Sequence, residues 1–155
     1  MRRGFFVSIM IFVLGLTVFA QDDSRMDIGF GAEYNMNSRR NFAVGALLSF
    51  NYNIDSSFSA GFNITNSYNF NHFFVIELHG TFRWYILTND HTGWFAQTDI
   101  GAFFIIEDPD AAPKFKAGVR GGYRIALQNN YFIEPYGRLG YPFAFGIGIL
   151  AGVRF

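Results

Sequence analysis

Glu77, His79 and Arg83 lie two and four residues apart within one alternating run, Phe74 to Ile86. In an extended strand that spacing sends all three side chains to one face. A carboxylate, an imidazole and a guanidinium gathered there could relay a proton or a substrate through a pore, or form part of a hydrolase site. The same groups also suit a lumen whose charges simply satisfy one another, and this simpler reading is preferred. The remaining chemistry-bearing residues are weaker. Asp90 and His91 are adjacent in a turn, which is poor metal-ligand spacing. Asp108 and Asp110 lie in the acidic stretch Glu107 to Pro113 and suit a solvated loop better than a Ca²⁺ site. No glycine-rich phosphate loop follows a strand and opens a helix. Cysteine is absent, which excludes disulfides and thiolate chemistry. No cofactor, metal or catalytic residue is expected.

The basic residues fall into a pattern as well. Lys116, Arg120 and Arg124 share one face of a run, and Arg138 belongs to the next. In a wet lumen they would favour anions, because rings of charge set pore selectivity. The acidic side chains of Glu33, Glu77, Asp99 and Glu134 nearly balance Arg83, Lys116, Arg120, Arg124, Arg138 and Arg154. Buried charges need partners, so these residues are expected to form a polar network within a lumen.

Positioning them requires strands. The chain divides into eight alternating runs: Met26 to Met36, Phe42 to Tyr52, Ser57 to Asn66, Phe74 to Ile86, Trp94 to Ile106, Phe115 to Ile125, Tyr131 to Tyr141 and Phe143 to Phe155. Turn-forming segments such as Asn53-Ile54-Asp55-Ser56 and Gln128-Asn129-Asn130 separate them. The third boundary, between Ser67 and Asn71, is the least marked, since Tyr68 and Phe70 continue the alternation. The last run is the clearest. Phe143, Phe145, Ile147, Ile149, Ala151, Val153 and Phe155 form one set, and Ala144, Gly146, Gly148, Leu150, Gly152 and Arg154 the other.

Each connection is too short for a crossover helix, so neighbouring strands are antiparallel. The predicted architecture is all-β: an eight-stranded antiparallel up-and-down transmembrane β-barrel over residues 26–155, with both ends of the chain at one rim. Composition agrees. Half of the 155 residues are hydrophobic, 21 are phenylalanine and 15% are charged, the last against roughly 25% in soluble domains. Which face is inside follows from volume. An eight-stranded barrel has an interior just wide enough for side chains, too narrow for the Phe, Ile, Leu and Trp of the apolar face. That face is therefore assigned to lipid rather than to the interior of a soluble barrel. Trp84, Trp94 and Tyr131, beside turns, are expected to form one interfacial girdle, and Tyr34, Tyr68 and Tyr141 the opposite one. Arginine at outward Ile149 is expected to be harsher than arginine at inward Leu150.

Residues 1–20 differ in kind. Arg2 and Arg3 precede an apolar core, Phe5 to Leu16, and Val18-Phe19-Ala20 resembles a cleavage site, so a secretory signal peptide is expected. Residues 21–25 form a short polar leader. Removing Arg2 and Arg3 leaves ten basic and twelve acidic residues, a balance that does not suggest nucleic-acid binding.

With the strands in place, the mature chain resembles the small eight-stranded outer-membrane proteins of the OmpA/OmpX/OmpW-like class. The most specific part is Tyr131-Phe132-Ile133-Glu134-Pro135-Tyr136-Gly137-Arg138-Leu139-Gly140-Tyr141-Pro142-Phe143 with the glycine-alternating end. This segment looks like the last hairpin of spirochaete-type barrels. The resemblance implies a bacterial outer-membrane location, lipid as surroundings, and a C-terminal signal, Ala151, Val153 and Phe155, read by the barrel-assembly machinery. Outer-membrane acyl hydrolases carry a His-x-Ser arrangement near the rim; His72 and His91, followed by Phe73-Phe74 and Thr92-Gly93, lack it. The class has varied functions. The expected role is structural or surface-interaction, by a monomer with a narrow or plugged lumen. A small pore for ions or hydrophobic solutes is the first alternative, and a lipid-modifying enzyme the second.

Overall fold

The computed structural model describes residues 25–37, 42–69, 73–86, 91–106 and 112–155. The expected signal peptide, residues 21–24 of the leader, and the Asp90, Asp108 and Asp110 positions lie outside them.

Eight strands follow one another around a closed barrel: β1 (Met26–Met36), β2 (Phe42–Asn53), β3 (Phe58–Asn69), β4 (Phe73–Tyr85), β5 (Gly93–Ile105), β6 (Lys114–Ala126), β7 (Tyr131–Tyr141) and β8 (Phe145–Arg154). Every neighbouring pair is antiparallel, and β1 pairs with β8 to shut the sheet, with Ala32 opposite Ile149 and Asp27 opposite Arg154. Closure leaves no strand edge unpaired. The seam continues past the strands, where the amide of Phe155 donates to the carbonyl of Met26 and the amide of Met26 to that of Phe155. Both described chain ends therefore stand at one rim, which also carries the β2–β3, β4–β5 and β6–β7 turns. The other rim carries the remaining connections.

Alternation sets the faces. On β1 the side chains of Asp27, Glu33 and Asn35 are buried, while Phe30 is 65% exposed. The same pattern turns Phe82 and Trp84, Trp94 and Ile100, Phe115 and Val119, and Ile147 and Ile149 outward. A continuous apolar exterior of this kind far exceeds the patch of a few hundred Å² that a soluble surface tolerates. Strands of 10 to 13 residues also meet the ~9–11 needed to cross a hydrocarbon core at a tilt.

Two boundaries differ from the sequence expectation by more than one residue. β3 runs on to Asn69, with Ser67 and Asn69 buried, so the alternation through Tyr68 is real strand. The last strand begins at Phe145 rather than Phe143. The chain leaves β7 through a cis Tyr141–Pro142 bond, and Phe143 belongs to the connection. Its ring is 3% exposed and packs inside with Ala43, Val75 and Phe103, not on the lipid face. These side chains cap the lumen at the rim away from the chain ends.

Candidate functional site in the barrel lumen

Inward positions of four strands, β1, β4, β5 and β7, deliver five buried carboxylates, Asp27, Glu33, Glu77, Asp99 and Glu134, among the described residues. Arg83, Lys116, Arg120, Arg124 and Arg138 are buried beside them, and Arg154 is partly buried at the rim. β2 and β3 supply mainly small groups on this face, including Ser49, Asn51, Ser59, Asn63, Thr65 and Ser67. One wall is low, which leaves room for the long side chains of the other. At Gly45 a Cβ would lie 2.6 Å from the Ser67 Oγ and 3.1 Å from the Glu33 Cγ.

The charges form two clusters. Toward the chain-end rim, Arg124 donates through Nη1 to Asp27 and through Nε to Glu134. Glu134 Oε1 also accepts from Arg83 Nη1 at 2.7 Å, and Arg154 Nε donates to Asp27 at 3.0 Å. Deeper in the lumen, Arg138 bridges Glu33 at 2.8 Å and Glu77 at 3.0 Å. Lys116 shares Glu77 with it and donates to His79 Nδ1 at 2.9 Å. Asp99 lies 3.7 Å from His79 Nε2 and 3.6 Å from Arg120 Nη2. Gln97 joins the clusters, accepting from Arg83 Nε at 2.8 Å and donating to Asp99 at 2.6 Å.

Rings fill the remaining space. The Arg83 guanidinium stands 4.2 Å from the centre of Phe95, Arg120 4.3 Å from Tyr136, and Arg124 3.9 Å from Phe132. A guanidinium over a ring face gains electrostatic attraction in a desolvated site. Tyr136 also donates to Glu33 at 3.0 Å. Two parts of this arrangement go beyond the sequence expectation. Asp27, inward by alternation, joins the carboxylates. The inward rings of Tyr85, Phe95, Phe132 and Tyr136 alternate with charged residues and lie against their guanidiniums.

Glu77 and His79 do meet, through Lys116, whereas Arg83 joins the other cluster. The neutral Nε2–H tautomer of His79 suits both neighbours, with Nδ1 accepting from Lys116 and Nε2 directed at Asp99. Glu77 is 0% and His79 1% exposed, so both face other lumen side chains rather than solvent. In the β4–β5 connection, His91 Nε2 contacts the Asp55 carbonyl and its ring meets Tyr85 edge-on. Burial pushes its imidazole below the ordinary value, the Asp55 hydrogen bond works the other way, and Arg154 adds to the depression. No cluster of three metal-ligating side chains occurs among the described residues.

The other sequence-selected residues are on the exterior. Trp84, Trp94 and Tyr131 are exposed at the chain-end rim, Tyr34 and Tyr141 at the opposite one, where Tyr68 is half-buried beside Phe74. Ala151 is exposed on β8, with Val153 and Phe155 half-buried.

The sequence matches no described protein family and no curated protein. Solved structures share its fold. Neisserial surface protein A superposes with a TM-score of 0.61 at 13% identity, covering 86% of this chain and 98% of its own. The N-terminal β-barrel domain of Pseudomonas aeruginosa OprF gives 0.54 at 12% identity, covering 87% and 100%. The de novo designed transmembrane barrel TMB2.3 gives 0.52 at 12% identity, covering 88% and 98%. These likenesses establish an eight-stranded barrel of the outer-membrane type.

Proposed function

We propose that this chain is a bacterial outer-membrane barrel with a structural or surface-interaction role, closed along its axis by its own ion pairs and rings. Export by residues 1–20, recognition of Ala151, Val153 and Phe155 by the barrel-assembly machinery, and a monomeric state surrounded by lipid belong to this reading. So does a spirochaete-type last hairpin, Tyr131 to Phe143. The aromatic positions Tyr34, Tyr68, Trp84, Trp94, Tyr131 and Tyr141 serve as interfacial anchors. The chain-end rim faces the periplasm, as in bacterial barrels generally.

The observation that carries the reading is the filled lumen. Carboxylates and cations from non-adjacent strands meet directly, and Phe143, Phe103 and Val75 cap one end. A conducting pore needs a continuous wet path, which tightly packed partners deny. Purified barrel in planar bilayers tests this: membrane insertion without channel openings is expected. Steady single-channel openings at moderate voltage would replace the closed barrel with the small-pore alternative.

A further inference from the structure

On β3 the inward side chains of Ser59, Asn63, Thr65 and Ser67 are all 0% exposed. The protein itself does not satisfy them. Ser59 Oγ, Asn63 Oδ1 and Nδ2, Thr65 Oγ1 and Ser67 Oγ have no hydrogen-bond partner. Such groups are rare in folded proteins and costly, because burial strips them of water and gives nothing back. Four of them on one face of one strand form a polar column down the lumen.

The neighbours across the sheet are either engaged elsewhere or unmet themselves. Thr65 lies opposite Glu77, whose Oε2 takes Lys116 and Arg138 while its Oε1 has no partner. Asn63 lies between Ser49 on β2 and His79 on β4. Ser49 Oγ already accepts from Asn51, and His79 Nδ1 from Lys116. Ser67 faces Gly45, which has no side chain to offer. Opposed residues on paired strands hold their Cβ atoms about 4.5–5.5 Å apart, a span that one water bridges. The unmet groups are donors, acceptors and hydroxyls together, which suits water, since a buried water makes about three hydrogen bonds in both senses. An ion suits them poorly, because Glu33, Glu77 and Asp99 are already matched by Lys116, Arg120 and Arg138.

We infer that the lumen binds internal waters along β3, one of them bridging Thr65 to Glu77 and others held by the Asn63 amide. This rests on the closed-lumen reading, to which it adds a bound ligand. The waters are enclosed rather than part of a path, because Ala43, Val75, Phe103 and Phe143 pack together at the rim beside Ser67. They complete the hydrogen bonding of Glu77 and explain how a strand of small polar residues stands in a charged interior without direct partners.

Solution NMR of the folded barrel in micelles tests it. Rotating-frame Overhauser cross-peaks with water are expected at the Asn63 side-chain amide and not at that of Gln97, whose oxygen and nitrogen both hold protein partners. No cross-peak at Asn63 would overturn the inference, and equal cross-peaks at Gln97 would overturn the placement along β3. Urea midpoints give an independent sign. Asn63→Leu and Thr65→Val keep the approximate size of each side chain and remove its hydrogen-bonding groups. In a hydrated column each change displaces bound water and strands its neighbours, so both midpoints should fall. In a dry column each change deletes an unmet group, so a raised midpoint contradicts the inference. Should either variant fail to fold, the spectra of the unaltered barrel decide alone. Conductance separates this inference from the reading beneath it: channel openings overturn the closed lumen, while a silent barrel with no water at Asn63 overturns only the bound waters.

Discussion

Glu134 holds Arg83 and Arg124 with a single oxygen, and it is 1% exposed. Glu134→Gln leaves two buried guanidiniums sharing a neutral acceptor, and breaking a buried pair in this way costs about 3–5 kcal/mol. Urea unfolding of the barrel in micelles should show a loss in that range. A loss below about 1 kcal/mol, the scale of an exposed pair, would mean that water reaches the cluster. His91 makes a separate prediction. Its folded value lies below the ordinary 6.5, so on acidification the unfolded chain takes up the proton first. The contribution is intact above about pH 6.5 and is lost as pH falls below it. His91→Gln should flatten that part of the stability profile; an identical profile in the variant would contradict the assignment. At this scale the sequence displayed the charged residues but not their partners. Alternation put Glu77 and Arg83 on one face, yet only closure of the sheet brings Arg83 to Glu134, 51 residues away.

At the level of the strand, β8 tests the faces most sharply. Ile149 is 53% exposed and Leu150 2%. Ile149→Ala should cost little, because lipid replaces the lost contacts, whereas Leu150→Ala opens a cavity and should cost about 2–5 kcal/mol. Similar losses from the two would refute the register. Ile149→Arg remains expected to cost about 2–4 kcal/mol near mid-bilayer. Packing adds a cost to Leu150→Arg that its inward direction alone does not show: a Cβ at Gly29 would already lie 2.5 Å from Leu150, and a further cation would join a lumen in which, among the described residues and counting Arg154 at the rim, cations outnumber carboxylates. Strand positions were legible because a period of two persists over ten or more residues with opposite chemistry on its faces. Phe143 was misplaced for the same reason. It continues the parity of β8, but Tyr141–Pro142 ends the ladder, and parity has no meaning across a connection.

For the molecule as a whole, apolar residues cover the outside and charges fill the inside, the reverse of a soluble domain. That inversion was readable from composition and interior volume together, since so many outward Phe and Ile side chains could not fit an eight-stranded lumen. The extent of the filling was not readable, because it depends on how small residues on β2 and β3 accommodate long ones from the opposite wall. Serine-to-cysteine substitution tests it directly in a chain without native cysteine. Ser49 and Ser67 are buried in the lumen, and Ser56 is exposed in a turn. A charged, water-soluble methanethiosulfonate should modify Ser56→Cys at once and leave Ser49→Cys and Ser67→Cys unmodified in the folded barrel. Modification of all three at comparable rates would contradict a lumen closed by its own side chains.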